Sequence, residues 1–112
     1  MKFGLFGGAR SVPGVKDGYR LGYEAYIDSV VEAEELGFYS SFLVEHHFTG
    51  MGQVSSSLNL LTYLAAKTST IRLGTAVVVL PWHNPLLVAE QAATLDLLSK
   101  GRFDFGVGKG YR

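Results

Sequence analysis

Apolar positions along the chain alternate between short continuous runs and stripes at helical spacing, and the two patterns take turns. Lys2 to Phe6 is an apolar run and reads as a first strand. Gly7 to Gly22 carries five glycines and Pro13. It reads as a loop, long enough to be a lid or a ligand-binding segment. From Tyr23 the period becomes helical: Tyr23, Tyr26, Ile27, Val30 and Ala33 form one stripe, opposite Glu24, Asp28, Glu32 and Glu35. Leu36-Gly37-Phe38 ends that helix, with Gly37 suited to a left-handed cap and Phe38 to its closing contact. Ser40 to Val44 is a second strand, and Thr49 to Ser55 a loop. The serines before Leu58 are placed to cap a second helix, whose Leu58, Leu61, Leu64, Ala65 and Thr68 recur at helical spacing. Ile71 to Leu80 is a third strand, and Ala76 to Leu80 lacks alternation, as in a strand buried on both faces of a parallel sheet. Asn84-Pro85 starts a third helix as cap and first helical residue. Leu87, Gln91, Leu95 and Leu98 follow before Gly101 stops it. Phe103 to Val107 is a fourth strand, and Gly108-Lys109-Gly110 turns out of it.

Strand and helix in strict alternation predict an α/β fold, a parallel (βα)3β unit built from three crossovers. Residues 1–112 form one domain, with no repeat or linker inside it. Four strands under one layer of helices would leave two bare edges and an open face. The remedies are further chain, a partner subunit, or helices on both faces of a doubly wound sheet.

Composition narrows the function classes. With 47% hydrophobic and 18% charged residues the chain can bury a core. Ten basic and ten acidic residues balance to zero and are scattered, so no positive stripe exists to bind nucleic acid. The absence of cysteine removes disulfides and thiolate metal sites. No stretch reaches membrane-spanning length, and the N-terminus lacks the features of a signal peptide. A soluble cytoplasmic protein is the expectation.

The strongest chemical signal is Glu45-His46-His47-Phe48, where the second strand gives way to a loop. Carboxyl ends of parallel strands are where such folds gather their chemistry. A metal site is not expected there, because neighbouring residues on a strand point to opposite faces, and His83 reads as part of a helix-entry loop. Gly106-x-Gly108-x-Gly110 lacks the spacing of a dinucleotide-binding turn, although it permits close backbone approach to a ligand. Lys109 and Arg112 are candidate phosphate contacts.

Four motifs in order then give a resemblance: Met1-Lys2-Phe3-Gly4, Glu45-His46-His47-Phe48-Thr49, Gly74-Thr75-Ala76-Val77-Val78-Val79-Leu80-Pro81, and Ser99-Lys100-Gly101-Arg102-Phe103. Across essentially its whole length the chain resembles the amino-terminal part of the bacterial luciferase-like, flavin-dependent monooxygenases. The resemblance implies the first half of a TIM (β/α)8 barrel, incomplete in this chain, whose remaining strands and main phosphate loops would follow Arg112. It implies reduced FMN and O2 acting on a small organic substrate such as an aldehyde, with a flavin reductase as electron source and a homo- or hetero-oligomeric assembly.

Residue by residue, the resemblance makes His46 the catalytic imidazole, with His47 beside it as a supporting residue and Glu45 as an orienting group near the cofactor. Ala76 and Val77 match a non-proline cis peptide beneath the flavin ring. Gly108 stands where luciferase has a reactive cysteine, and Lys109 where it has an arginine near the flavin phosphate. Two other readings stay open: hydride transfer with the deazaflavin F420, and a non-catalytic truncated member that serves as a structural unit, dimerising through its second and third helices.

Overall fold

The computed structural model describes residues 1–50 and 54–111. Residues 51–53 of the predicted loop, and the candidate phosphate contact Arg112, lie outside them. The elements run β1 Gly4–Gly7, α1 Gly18–Glu35, β2 Ser40–Leu43, α2 Ser57–Lys67, β3 Arg72–Thr75, β4 Val78–Val79, a 3-10 turn Leu80–Trp82, α3 Pro85–Leu98, β5 Phe103–Asp104 and β6 Val107–Gly108. The first sheet is parallel throughout, in the order β1-β2-β3-β5, while β4 and β6 form a second parallel pair. The parallel strand-helix unit expected from the sequence is therefore present, with its third and fourth strands each split in two.

The split has a local cause. Thr75 Oγ1 donates to the carbonyl of Gly106 at 2.8 Å and accepts from the Gly106 amide at 2.9 Å, and the Val78 amide donates to the same carbonyl. A side chain on Gly106 would collide with the carbonyl of Thr75. Between the pairs Gly74–Asp104 and Val78–Val107 the chain advances four residues on one side and three on the other. One extra residue is left at Ala76–Val77, the count of a bulge.

Among the described residues, helices cover one face only. The row Leu5, Ser41, Leu73, Phe103 faces them, as the Tyr26 hydroxyl lying 3.3 Å from Ser41 Oγ shows. A single core cluster joins Val30, Leu43, Leu61, Leu64, Leu73 and Leu95. The alternate row, Phe6, Phe42, Gly74 and Asp104, lies on the open face, where Phe6 is 74% exposed. There the Phe42 ring occupies the space a Gly74 side chain would need, and Arg72 grips both carboxylate oxygens of Asp104. A doubly wound sheet is thus ruled out for this segment.

Several boundaries differ from the sequence reading. The first helix begins at Gly18 rather than Tyr23, because Gly18 and Gly22 let the helix press on the backbone of Val12 and Arg10. Its end is as expected: Phe38 N donates to Ala33 O and Gly37 N to Glu34 O, with Gly37 left-handed at φ 82°. Asn84 caps α3 by accepting from the amides of Leu86 and Leu87. The serine cap of α2 does not form: Ser56 stands at the cap position without a side-chain bond, and Ser57, the first helical residue, donates its Oγ to Glu45. On α3 the buried line is Val88, Ala92 and Leu95. Of the expected stripe Leu95 is buried, whereas Leu87, Gln91 and Leu98 are exposed.

One contact between elements gives a pH-dependent prediction. The carboxylate of Glu34, near the end of α1, accepts from the amides of Ser69, Thr70 and Ile71 and from the Thr70 hydroxyl, fastening the turn that leads into β3. Burial alone would raise its pKa, but these hydrogen bonds outweigh that effect and hold it below the ordinary 4.5. A depressed carboxylate stabilises the fold above its unfolded pKa and ceases to do so as pH falls through the folded value. Glu34→Gln is expected to unfold at lower denaturant at pH 7 than the parent, with the gap narrowing below about pH 4.5. A gap that stays constant from pH 7 to pH 3 in urea titrations would contradict the assignment.

Candidate functional site

At the carboxyl ends of β1, β2 and β3 the chain encloses a crevice of about 880 Å³. That is within the range of small-molecule and cofactor sites. Its walls come from the turn after β1, from residues 44–49 beyond β2, from Ala76, Val77 and Val79 around the bulge, and from Trp82, Gly110 and Tyr111. The Val44 amide bonds to Gly7 O and the Ala76 amide to Leu43 O, so the backbone ladder carries past the strands into the site.

Of the residues singled out from sequence, Glu45, His46, Ala76 and Val77 meet in this crevice. The Ala76–Val77 peptide is cis. Gly108 stands behind the wall rather than in it: a side chain there would crowd Val77 Cγ2. Lys109 is exposed and does not line the crevice, whereas Arg10, an exposed cation unremarked in the sequence, does. His46 is anchored through its amide to Val54 O at 2.8 Å, and its ring meets Tyr111 edge-on at 6.2 Å between centroids.

Glu45 is the buried hub of the site, with its side chain 1% exposed. His47 Nε2 lies 2.7 Å and His83 Nε2 2.8 Å from the same oxygen, Oε1, and Ser57 Oγ donates to Oε2 at 3.2 Å. Burial would raise the Glu45 pKa, yet the hydrogen bonds from the two imidazoles, and the positive charge those rings carry when protonated, hold it below the ordinary carboxylate value. Glu45 is therefore an anion at neutral pH. The His47 ring stacks on Trp82 at 5.2 Å and 17° between planes.

Strand geometry does not separate these side chains as the sequence suggests. The strand ends at Leu43, so strand alternation does not govern residues 44–47. Glu45, His47 and His83 bring three ligand atoms within 4.8 Å of one another. Their contacts are nevertheless hydrogen-bond lengths, shorter than the roughly 3.3 Å that separates two ligands about 2.05 Å from a tetrahedral ion. The donor atoms already satisfy one another. Trp82 and Ser57 were missed from sequence, and His83 was read as a loop residue: the 3-10 turn redirects His83 from the entry of α3 toward Glu45, and Ser57, the first residue of α2, turns its hydroxyl to the hub.

Comparison with known proteins agrees with this geometry. The model of a family described as luciferase-like monooxygenase matches residues 1–112. The chain is 46% identical over 78 residues to a luciferase-like monooxygenase of Escherichia coli, covering 69% of this chain and 23% of that protein. It is 42% identical over 84 residues to limonene 1,2-monooxygenase of Rhodococcus erythropolis, covering 75% and 22%. Among solved structures, the oxygenating constituent of 3,6-diketocamphane monooxygenase from Pseudomonas putida, in complex with FMN, aligns with a TM-score of 0.89 at 25% identity, over 100% of this chain and 30% of that one. The F420-dependent tetrahydromethanopterin reductase of Methanopyrus kandleri aligns with a TM-score of 0.73 at 28% identity, over 98% and 27%. The chain thus spans about a quarter of the length of the curated relatives it matches.

Proposed function

Because the chain belongs to the luciferase-like monooxygenase family, we propose that it supplies the first strands and the histidine-bearing wall of a flavin-dependent monooxygenase acting on a small organic substrate. The observation that carries this reading is the convergence of Glu45, His46, Ala76 and Val77 on one crevice at the carboxyl ends of the strands. FMN fits what is there. Ala76, Val77 and Val79 offer an apolar wall to a planar ring, Gly7 and Gly8 let a ligand approach their backbone, and among the described residues Arg10 brings a cation to the crevice that a phosphate could meet. Reduced FMN, when bound, supplies the electrons that activate O2 for insertion into the substrate.

The chain's own residues bind, orient and handle protons. His46 lines the crevice with a ring able to donate or accept, and would handle protons for a flavin bound there. Trp82 and Phe48 give the rim an apolar, aromatic character suited to a hydrocarbon substrate, with Phe48 94% exposed. A flavin reductase is the electron source, and cytoplasmic location follows from that dependence on cellular reductant. Among the described residues no helix is long and apolar enough to cross a membrane. Exposed Leu86, Leu87, Leu97 and Leu98 on α3 favour a homo- or hetero-oligomer assembled through the helical layer.

A second reading, hydride transfer with F420, is supported by the likeness to the tetrahydromethanopterin reductase. Titrating the intact protein anaerobically with reduced FMN and, separately, with reduced F420 decides between them, followed by O2 consumption on admitting air. Tight FMN binding with substrate-dependent O2 uptake is expected. Binding of F420 alone would replace the first reading by the second, and binding of neither would overturn both.

A further inference from the structure

The contact pattern around Glu45 assigns protons to particular ring nitrogens. A carboxylate accepts hydrogen bonds and cannot donate them. Both imidazoles approach its Oε1 through Nε2, at 2.7 and 2.8 Å, so both carry their ring proton on Nε2. His47 also lines the crevice, stacks on Trp82 and meets His83 edge-on at 6.3 Å, contacts that fix the plane of its ring. Its Nδ1, with a lone pair, is then the nitrogen left for whatever occupies the crevice. His83 shares the carboxylate but does not line the crevice.

We propose that Glu45 and His83 hold His47 as a second proton-accepting imidazole of the crevice, with Nδ1 as its working atom. The inference rests on the crevice being the reaction site. A proton released by a bound molecule passes to His47 Nδ1, the ring becomes an imidazolium, and the buried Glu45 carboxylate offsets the new charge without leaving its place. His83 is a positioning residue. By occupying the second acceptor direction of Oε1, and with Ser57 on Oε2, it stops the carboxylate from turning away from His47. Sequence order disguises this, because His46 is the imidazole the family resemblance points to, while the carboxylate-oriented one is its neighbour.

The test begins with ring-nitrogen spectra of the intact protein labelled with 15N-histidine, at a pH alkaline enough for neutral imidazoles. His47 and His83 are expected as the Nε2–H form. Glu45→Ala should turn both into tautomer mixtures and leave His46 unchanged. Finding the His47 proton on Nδ1, or a tautomer indifferent to Glu45→Ala, overturns the proposal. The second measurement is turnover with reduced FMN and O2. His83→Phe keeps the ring bulk but loses the donor, and is expected to lower kcat on the order of tenfold with KM for reduced FMN little changed. His83→Gln, whose amide can donate to Oε1, should recover most of that loss. Parental kcat in His83→Phe, or no recovery in His83→Gln, also overturns the positioning role. The spectra need no flavin, so failure to bind flavin defeats only the functional reading, and a wrong tautomer in a flavin-binding protein defeats only this one.

Discussion

Replacing His46 with alanine in the intact protein is expected to lower turnover with reduced FMN and O2 by roughly 10²- to 10⁴-fold, the usual contribution of a positioned acid or base. That loss corresponds to about 3 to 5 kcal/mol of transition-state stabilisation. Flavin affinity should change little, since the apolar wall of Ala76, Val77 and Val79 remains. The size of the effect follows from placement. The His46 amide is pinned to Val54 O and its ring lies against Tyr111, so the imidazole is held at the crevice before any ligand arrives. Water entering the space left by alanine would be a poorly positioned substitute. Single-turnover rates with preloaded reduced FMN separate this from weakened binding. Unchanged turnover would remove His46 from the chemistry and leave His47 as the proton-handling imidazole.

The largest stability effect is expected at Arg102, a residue far from the crevice. Its guanidinium donates to the carbonyls of Ala65, Thr68, Ile71 and Ser99 and to the Thr68 hydroxyl, all at 2.9 to 3.1 Å. These acceptors are the last carbonyls of α2, the entry to β3 and the end of α3. One planar fork therefore closes two helix ends and fixes the strand between them. Among the described residues no carboxylate pairs with it, so backbone carbonyls, most of them at helix ends, and the Thr68 hydroxyl accept its charge. Arg102→Met keeps the stem but abandons every acceptor, and should cost about 3 kcal/mol. Arg102→Lys should recover less than half of that, because an ammonium cannot span acceptors arranged around a fork. Urea unfolding of the three proteins measures the difference. A loss under about 1 kcal/mol in Arg102→Met would show that water replaces the guanidinium adequately.

How much of this was legible in the chain differs element by element. The stripe Leu58, Leu61, Leu64, Ala65 and Thr68 on α2 is buried as its spacing foretold. That helix has only one apolar side. On α3 the same reasoning found Leu95 but otherwise picked the wrong line, because the helix is apolar nearly all round and spacing alone does not choose between Leu87, Gln91 and Leu98 on one side of Leu95 and Val88 and Ala92 on the other. Glycine was the other source of error. Gly18 and Gly22 read as loop residues by their identity, yet they are helical positions chosen for close backbone contact. The candidate site was half legible. Glu45, His46, Ala76 and Val77 were found from motif resemblance and do share one crevice, whereas the link from Glu45 to His83 crosses thirty-eight positions and depends on a 3-10 turn that no local pattern announces.

The unequal count of residues between the two split strands has a consequence for how this segment can vary. Side chains on a strand change face with every residue, so the extra position at Ala76–Val77 decides which way Val78 and Val79 point. Losing one residue between Gly74 and Val78 would let the two sheets run on as one ladder, exchange the faces of those valines and draw in the wall of the crevice. Exchanging one small apolar residue for another there alters the wall only slightly. In the stretch from Gly74 to Val78, chain length is under tighter constraint than chemistry.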